Sequence, residues 1–318
     1  MIQPSEATRP WLTTLAGFHR AARGPSDKWP YDARKENWLE CMQGKSVLIT
    51  GATAGIGLAT AKLMAQGGAH LVLACRDMEK AGRVKQILVA QTPSSNIRLY
   101  RLDLASFSSI RSCASQILSD DTAIHALINN AGTLPLQYGQ TEDGFETQIG
   151  VNFLGHFLFT NLLLDHLKRS APASIVHLSS VVHHRGTIDF GSFRECQRNY
   201  QWGVAYAQSK LANVLFSVEL ARRLEGAGVT SNAIHPGIVS TQIARFMPKL
   251  IRPGLSLVGK SAESAALAII RLVFNPDLAG VTGQYFSGNK LKRMSVRASD
   301  PKLARDLWAE AELLTFLN

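Results

Sequence analysis

A tyrosine and a lysine four positions apart, Tyr206-Ala-Gln-Ser-Lys210, could share proton-transfer chemistry. Positions i and i+4 lie on one face of a helix, so the phenol and the ammonium would point the same way. A cation beside a phenol favours phenolate and lowers its pKa, which makes a tyrosine usable as an acid or base near neutral pH. The same pair also occurs on solvated helix faces, so it acquires meaning only from what other segments bring to it.

Several stretches could contribute. Thr50-Gly51-Ala52-Thr53-Ala54-Gly55-Ile56-Gly57 spaces three glycines as G-x3-G-x-G. A strand that turns into a helix over such glycines lets the backbone approach a pyrophosphate, with free N–H groups at the helix start. Downstream, Arg76 precedes Asp77. A base there would accommodate the 2′-phosphate of NADP and an acid would hold the ribose 2′-OH of NAD, although Asp77 also reads as a helix cap. The order favours NADP. Asp103-Leu104 reads as an ordinary cap, and Asn129-Asn130-Ala131-Gly132 as either a turn or a ligand edge. Asn152 interrupts an apolar helical pattern, where a buried amide needs a partner; a structural bond and a proton relay are equally open. Ser179-Ser180 either begins a turn or offers a hydroxyl to a substrate oxygen.

The elements that must hold these residues alternate between strand and helix. Short apolar runs at 47–50, 70–75, 97–101, 126–129, 174–180, 230–234 and 283–286 read as strands. Helical patterns fill 58–67, 78–91, 107–118, 144–167, 204–224, 261–274 and 301–317, the last capped by Asp300. This order predicts an α/β fold: a single Rossmann-type doubly wound parallel sheet with helices on both faces. Residues 1–40 differ in character and form an N-terminal extension to a domain spanning 41–318. Trp11, Leu12, Leu15, Phe18 and Ala22 fall at helical spacing near Arg9, Arg20 and Arg23. Three readings stand: an arm packed on the domain, an interfacial membrane anchor, or a transit peptide.

The 318 residues carry a net charge of +10, are 46% apolar and contain four cysteines without a C-x-x-C pair. That balance suits a globular protein with a large core in a reducing compartment. The charge is compatible with nucleic acid, an anionic membrane or a phosphorylated cofactor, but zinc-finger spacing and long basic blocks are missing. The apolar runs fall short of a membrane span. A cytoplasmic location is expected, with peripheral membrane contact through residues 1–24 or 238–260 and mitochondrial targeting both left open. A metal site is not expected: His183 and His184, adjacent on extended chain, would point apart, and a third ligand is not suitably spaced.

Taken in order, Thr-Gly-x-x-x-Gly-Ile-Gly, Asn-Asn-Ala-Gly, the serine before Tyr-x-x-x-Lys, and Pro236-Gly237 resemble the short-chain dehydrogenase/reductase superfamily over residues 44–290. Ala74-Cys75-Arg76-Asp77, Asn152-Phe-Leu-Gly-His156-Phe157, Ser209-Lys210-Leu211-Ala212-Asn213 and His235-Pro236-Gly237 are similar to its retinol dehydrogenase branch. Arg169–Ala173, Gly228–Asn232 and residues 280–286 also resemble the dehydrogenase domain of the WW-domain-containing oxidoreductase, although a WW domain is not visible here. Ser180 and Tyr206 stand 26 positions apart, about twice the spacing of many members; the retinol dehydrogenase branch has a similar insertion.

The resemblance implies roles. Tyr206 would be the catalytic acid/base, and Lys210 would bind the nicotinamide ribose and lower the Tyr206 pKa. Ser180, with Ser179 as fallback, would hydrogen-bond the substrate oxygen. Asn152 would hold a water linking Lys210 to solvent. Gly51, Thr53, Ala54, Gly55, Ile56, Gly57, Arg76, Asp103, Leu104, Asn130, Ala131 and Gly132 would line the cofactor, together with Tyr206 and Lys210. Pro236, Gly237 and Thr241 would close over nicotinamide and phosphate. The activity implied is NADP(H)-dependent exchange of hydride with the carbonyl or alcohol of a hydrophobic retinoid, steroid or lipid. The apolar content of residues 238–260 would wall that substrate, and Arg245, Lys249, Arg252 and Lys260 would either meet lipid headgroups or stay solvated. Relatives often pair through the helices at 144–167 and 204–224, so a homo-oligomer is compatible. Two other classes compete: a cofactor-binding regulatory scaffold with little turnover, and a nucleotide-sugar epimerase, which would show G-x-x-G-x-x-G and a larger C-terminal domain.

Overall fold

The computed structural model describes residues 41–92, 94, 96–194, 200–237 and 261–317. The N-terminal extension, the loop at 238–260 and Thr241 lie outside the described residues.

Eight strands form one sheet in the order β3-β2-β1-β4-β5-β6-β7-β8. They are β1 (Ser46–Thr50), β2 (His70–Cys75), β3 (Ile97–Arg101), β4 (Ala126–Asn129), β5 (Ala173–Leu178), β6 (Val229–His235), β7 (Tyr285–Ser287) and β8 (Lys290–Lys292). All neighbours are parallel except β7 and β8. Strands buried on both faces can be apolar throughout, and β1 is buried along its whole length. Because strand side chains alternate, Leu48 joins one core with Val72, Leu127 and Ile175, and Val47 and Ile49 join the other with Leu71, Leu73 and Ile128.

The second core is closed by α1 (Gly55–Gln66), α2 (Met78–Gln91) and α7 (Ala262–Phe274). The first is closed by α3 (Phe107–Ser119), α4 (Gly155–Leu162), α6 (Trp202–Arg223) and α8 (Pro301–Thr315). α5 (Leu164–Arg169) leads from α4 into β5. Phe153, Phe157, Phe216 and Trp308 stack at the centre of this face, Phe157 and Trp308 edge to face at 4.9 Å. α6 carries the candidate Tyr–Lys pair and is buried over most of its length.

Three segments depart most from the sequence expectation. The helix expected at 144–167 is broken into a helical turn (Thr147–Ile149), a π-helical turn (Gly150–Leu154), α4 and α5. Its start is set by Glu146, whose carboxylate accepts from the Gln148 and Ile149 N–H groups. The inserted segment before Tyr206 is not extended at His183-His184. It forms 3-10 turns at Val181–Arg185 and Phe190–Phe193, and the two imidazoles lie 4.2 Å apart. β8, placed on a basic stretch, is a short charged edge strand of the kind that discourages further pairing.

Candidate active site

Strand order reverses between β1 and β4, and in open α/β sheets the crevice beyond the carboxyl ends at such a point binds ligands. The glycine turn leaves β1 there. Gly51 and Gly55 adopt φ of +69° and +56°, a region that favours glycine. A Cβ on Gly57 would stand 2.4 Å from Asn130 Nδ2 and 2.5 Å from the Gly51 carbonyl, so only glycine lets the helix approach so closely. α1 begins at Gly55, three residues earlier than expected, which puts Gly55, Ile56 and Gly57 in its first turn. Ala54 provides no side-chain cap, and that turn carries no acid. The N–H groups of the first turn and the positive dipole end thus suit an anion. Thr53, Ala54 and Ile56 are half-buried beside them.

Asn130 Nδ2 donates to the Thr50 and Gly51 carbonyls at 2.7 and 3.2 Å, clamping the turn to β4. The Thr50 hydroxyl accepts from the Asn130 and Ala131 N–H groups, both at 3.0 Å. Its two lone pairs are then used, so its own proton goes to His156 Nε2 at 2.9 Å, nearer than the Ile128 carbonyl at 3.4 Å. The His156 proton is left on Nδ1, which donates to the Asn152 carbonyl at 3.2 Å. Burial pushes His156 down to about 4, so the ring is neutral. This bridge from the glycine turn to the π-helical turn was not visible in the sequence reading; the only signal was a histidine four positions after Asn152.

Asn152 is fully satisfied. Its Oδ1 accepts from Thr133 N at 2.8 Å, and its Nδ2 donates to the Thr133 carbonyl and to Ser209 Oγ. Gly132 passes close above: a Cβ there would lie 3.3 Å from Asn152 Oδ1 and 3.7 Å from Lys210 Nζ. Lys210, one turn after Tyr206, donates to the Leu178 carbonyl at 3.1 Å, and its Nζ stands 5.5 Å from the Tyr206 ring centre. Ser179 is buried and gives its hydroxyl to the Lys210 carbonyl at 2.7 Å, so it is committed to structure. Ser180 is half-buried, and among the described residues its oxygen accepts only a long bond, 3.4 Å, from Val182 N–H. Of the two hydroxyls, that of Ser180 is the less engaged among the described residues.

The expected lowering of the Tyr206 pKa is corrected by the structure. Burial pushes the phenol up to about 12 and the Lys210 ammonium down to about 8. Desolvation is the cause at both groups, and the ammonium gives its hydrogen bond to the Leu178 carbonyl. Tyr206 thus holds its proton at neutral pH.

At the β2 end, Asp77 caps α2 by accepting from Lys80 N–H at 3.0 Å and pairs with Lys80 Nζ at 2.9 Å. Arg76 is exposed beside it, without an ion-pair partner among the described residues. After β3, Asp103 Oδ1 accepts from Ala105 N–H, and the Leu104 carbonyl packs on Gly155. Pro236 and Gly237 follow β6 at the same edge, Gly237 with φ +103°. The described residues thus bring every candidate position except Thr241 to the carboxyl edge or the layer beneath it.

The sequence profile described as short chain dehydrogenase matches residues 45–249. The chain is a short-chain dehydrogenase/reductase. Its oxidoreductase family binds nicotinamide cofactors, and its relatives include retinol dehydrogenases. Human retinol dehydrogenase 13 is 46% identical over 283 residues, covering 86% of each chain. Human retinol dehydrogenase 12 is 42% identical over 280 residues, covering 86% of this chain and 87% of that one. Among solved structures, an uncharacterised protein from Mycobacterium paratuberculosis superposes with a TM-score of 0.70 at 32% identity, covering 86% of this chain and 94% of that one. A short chain dehydrogenase from Shigella flexneri complexed with NADP superposes with a TM-score of 0.64 at 24% identity, a likeness of fold alone, covering 79% and 100%. In this short-chain dehydrogenase/reductase the uncapped α1 start and the glycine cradle fit the pyrophosphate of a nicotinamide dinucleotide.

Proposed function

We propose that this protein is an NADP(H)-dependent oxidoreductase that interconverts the carbonyl and alcohol of a hydrophobic substrate, a retinoid, steroid or lipid aldehyde or ketone, with Tyr206 as acid/base. The observation that carries the reading is the convergence of a protonated, burial-shifted Tyr206, the anchored Lys210, the satisfied Asn152 and the freer Ser180 hydroxyl at one sheet edge. When bound, the nicotinamide supplies or accepts the hydride.

The protein's own residues supply the rest. In the reduction direction Tyr206 gives its proton to the forming alkoxide, and Ser180 donates a hydrogen bond to the same oxygen. Lys210, held by the Leu178 carbonyl, keeps a positive charge beside the phenol and stabilises the phenolate left behind. Asn152, its amide committed to Thr133 and Ser209, holds the π-helical turn close to Lys210. The preference for NADP over NAD is supported by the division of labour at the β2 tip. Asp77 is engaged with Lys80, which leaves the Arg76 guanidinium to meet a 2′-phosphate. The hydrophobic substrate class is supported by likeness to retinol dehydrogenases.

The test is NADPH oxidation by purified protein against retinal, medium-chain aldehydes, steroid ketones and small quinones, with Tyr206→Phe as control. Turnover of one class that the substitution abolishes, with NADPH binding intact, is the expected result. Tight NADPH binding with turnover of none would move the reading to the regulatory scaffold.

A further inference from the structure

The histidines of the inserted segment have a place in the structure that the chemistry above does not use. His183 is fully buried in the 3-10 turn that Ser180 caps. Its Nε2 lies 3.2 Å from the Ser295 backbone nitrogen. A backbone N–H can only donate, so Nε2 must accept and the ring proton must sit on Nδ1. That Nδ1 is 2.8 Å from the Ser180 carbonyl, which therefore receives it. The Tyr285 ring at 4.5 Å and the His184 ring at 4.2 Å pack against the imidazole and hold its orientation. At the other end of the turn, Arg297 Nη1 donates to the Gly186 carbonyl at 3.3 Å. The turn is thus tied at two points to the segment that follows β8. Among the described residues the Ser180 hydroxyl has only the long Val182 contact of its own, so its position follows from its backbone.

We propose that His183 is a positioning residue for Ser180, a neutral imidazole strut between the Ser180 carbonyl and the Ser295 N–H through which the C-terminal segment sets where the Ser180 hydroxyl stands. The proposal rests on the reading of Ser180 as the donor to the substrate oxygen. It assigns residues 295–297, more than a hundred positions away in sequence, a part in the geometry of the reaction centre.

The test has two arms, both on the full-length protein. The first needs no substrate: long-range 1H–15N correlation on 15N-histidine-labelled protein at pH 7. One imidazole, missing from the His183→Asn spectrum, should carry its proton on Nδ1; a proton on Nε2, or rapid exchange between the two nitrogens, overturns the strut. The second uses NADPH and the substrate class found in the panel. His183→Phe keeps the ring's bulk and removes both hydrogen bonds. It should lower kcat about 10- to 100-fold, the scale of a displaced catalytic group, with KM for NADPH within about twofold. His183→Asn keeps a donor near the Nδ1 position and should recover most of that loss. In a Ser180→Ala background, His183→Phe should cost no further rate. Equal losses in both backgrounds, or His183→Asn no better than His183→Phe, would mean that the ring only fills space. Should Ser180→Ala leave kcat intact, the reading of Ser180 fails while the tautomer still judges the strut.

Discussion

At the residue scale, neighbouring groups of similar type are separated by what each already holds. Ser179 spends its hydroxyl on the Lys210 carbonyl and Ser180 does not. Ser180→Ala should therefore lower kcat about 100-fold, the usual loss for one donor to a developing oxyanion, with little change in melting temperature. Ser179→Ala should instead cost about 1 kcal/mol of stability, the typical net worth of a hydrogen bond. Steady-state kinetics and denaturant titration of the two variants would separate them. The Tyr206–Lys210 pair leads to a pH expectation. Lys210, depressed to about 8, is charged below that pH and neutral above it, whereas Tyr206, raised to about 12, stays protonated throughout. The rate of carbonyl reduction at saturating NADPH should hold up to about pH 8 and decline beyond it. A profile still rising at pH 9 would place the controlling ionisation elsewhere.

At the element scale, the turn from β1 into α1 works by close approach. Gly57→Ala would force a methyl against Asn130 Nδ2 and the Gly51 carbonyl. Overpacking of this kind costs about 1–3 kcal/mol, and because the displaced atoms are the cradle itself, the affinity for NADPH, read by fluorescence titration, should fall with it. The β2 tip makes a separate prediction. Arg76→Ala should raise KM for NADPH about tenfold or more while leaving KM for NADH nearly unchanged, since charge-assisted bonds to one phosphate contribute at least about 1.5 kcal/mol. Equal effects on both cofactors would remove Arg76 from 2′-phosphate recognition. The π-helical turn at Gly150–Leu154 shows why the apolar periodicity from 144 to 167 read as one helix. A π-turn keeps the chain helical while adding a residue to one turn, and what holds it here is a polar set drawn from Thr133, Ser209 and His156.

At the scale of the whole molecule, buried histidines tie the fold to pH. His156 and His177 are fully enclosed and pushed down to about 4 and about 3. Both stay neutral in the folded protein, while in the unfolded chain each takes up a proton below about 6.5. The unfolded state therefore binds more protons as pH falls through that window, and stability falls with it. At pH 5 the loss is about 2 kcal/mol for each ring, taking 1.36 kcal/mol per pKa unit. Urea midpoints should be level from pH 7 to 8 and drop steadily from 6.5 to 5; midpoints independent of pH over that range would contradict the burial of these rings.

Much of the fold was legible because its rules are local. Apolar runs of strand length alternating with helical periods, a glycine turn after the first strand, and Asp77 and Asp300 as helix caps all act over a few residues, and the sheet, its parallel sense and both caps follow from them. Tyr206 and Lys210 share a helix face for the same reason. What tertiary structure alone decided is the state of those groups. Whether the phenol's pKa falls or rises depends on how far burial outweighs the ammonium and on where that ammonium points, and the Leu178 carbonyl that takes it belongs to another element. The same holds for which serine is spare, for the His156 bridge beneath the glycine turn, and for the tie from Ser295 to His183. Each is a hydrogen bond between residues tens to more than a hundred positions apart, and residue type with local spacing contains no term for such a distance.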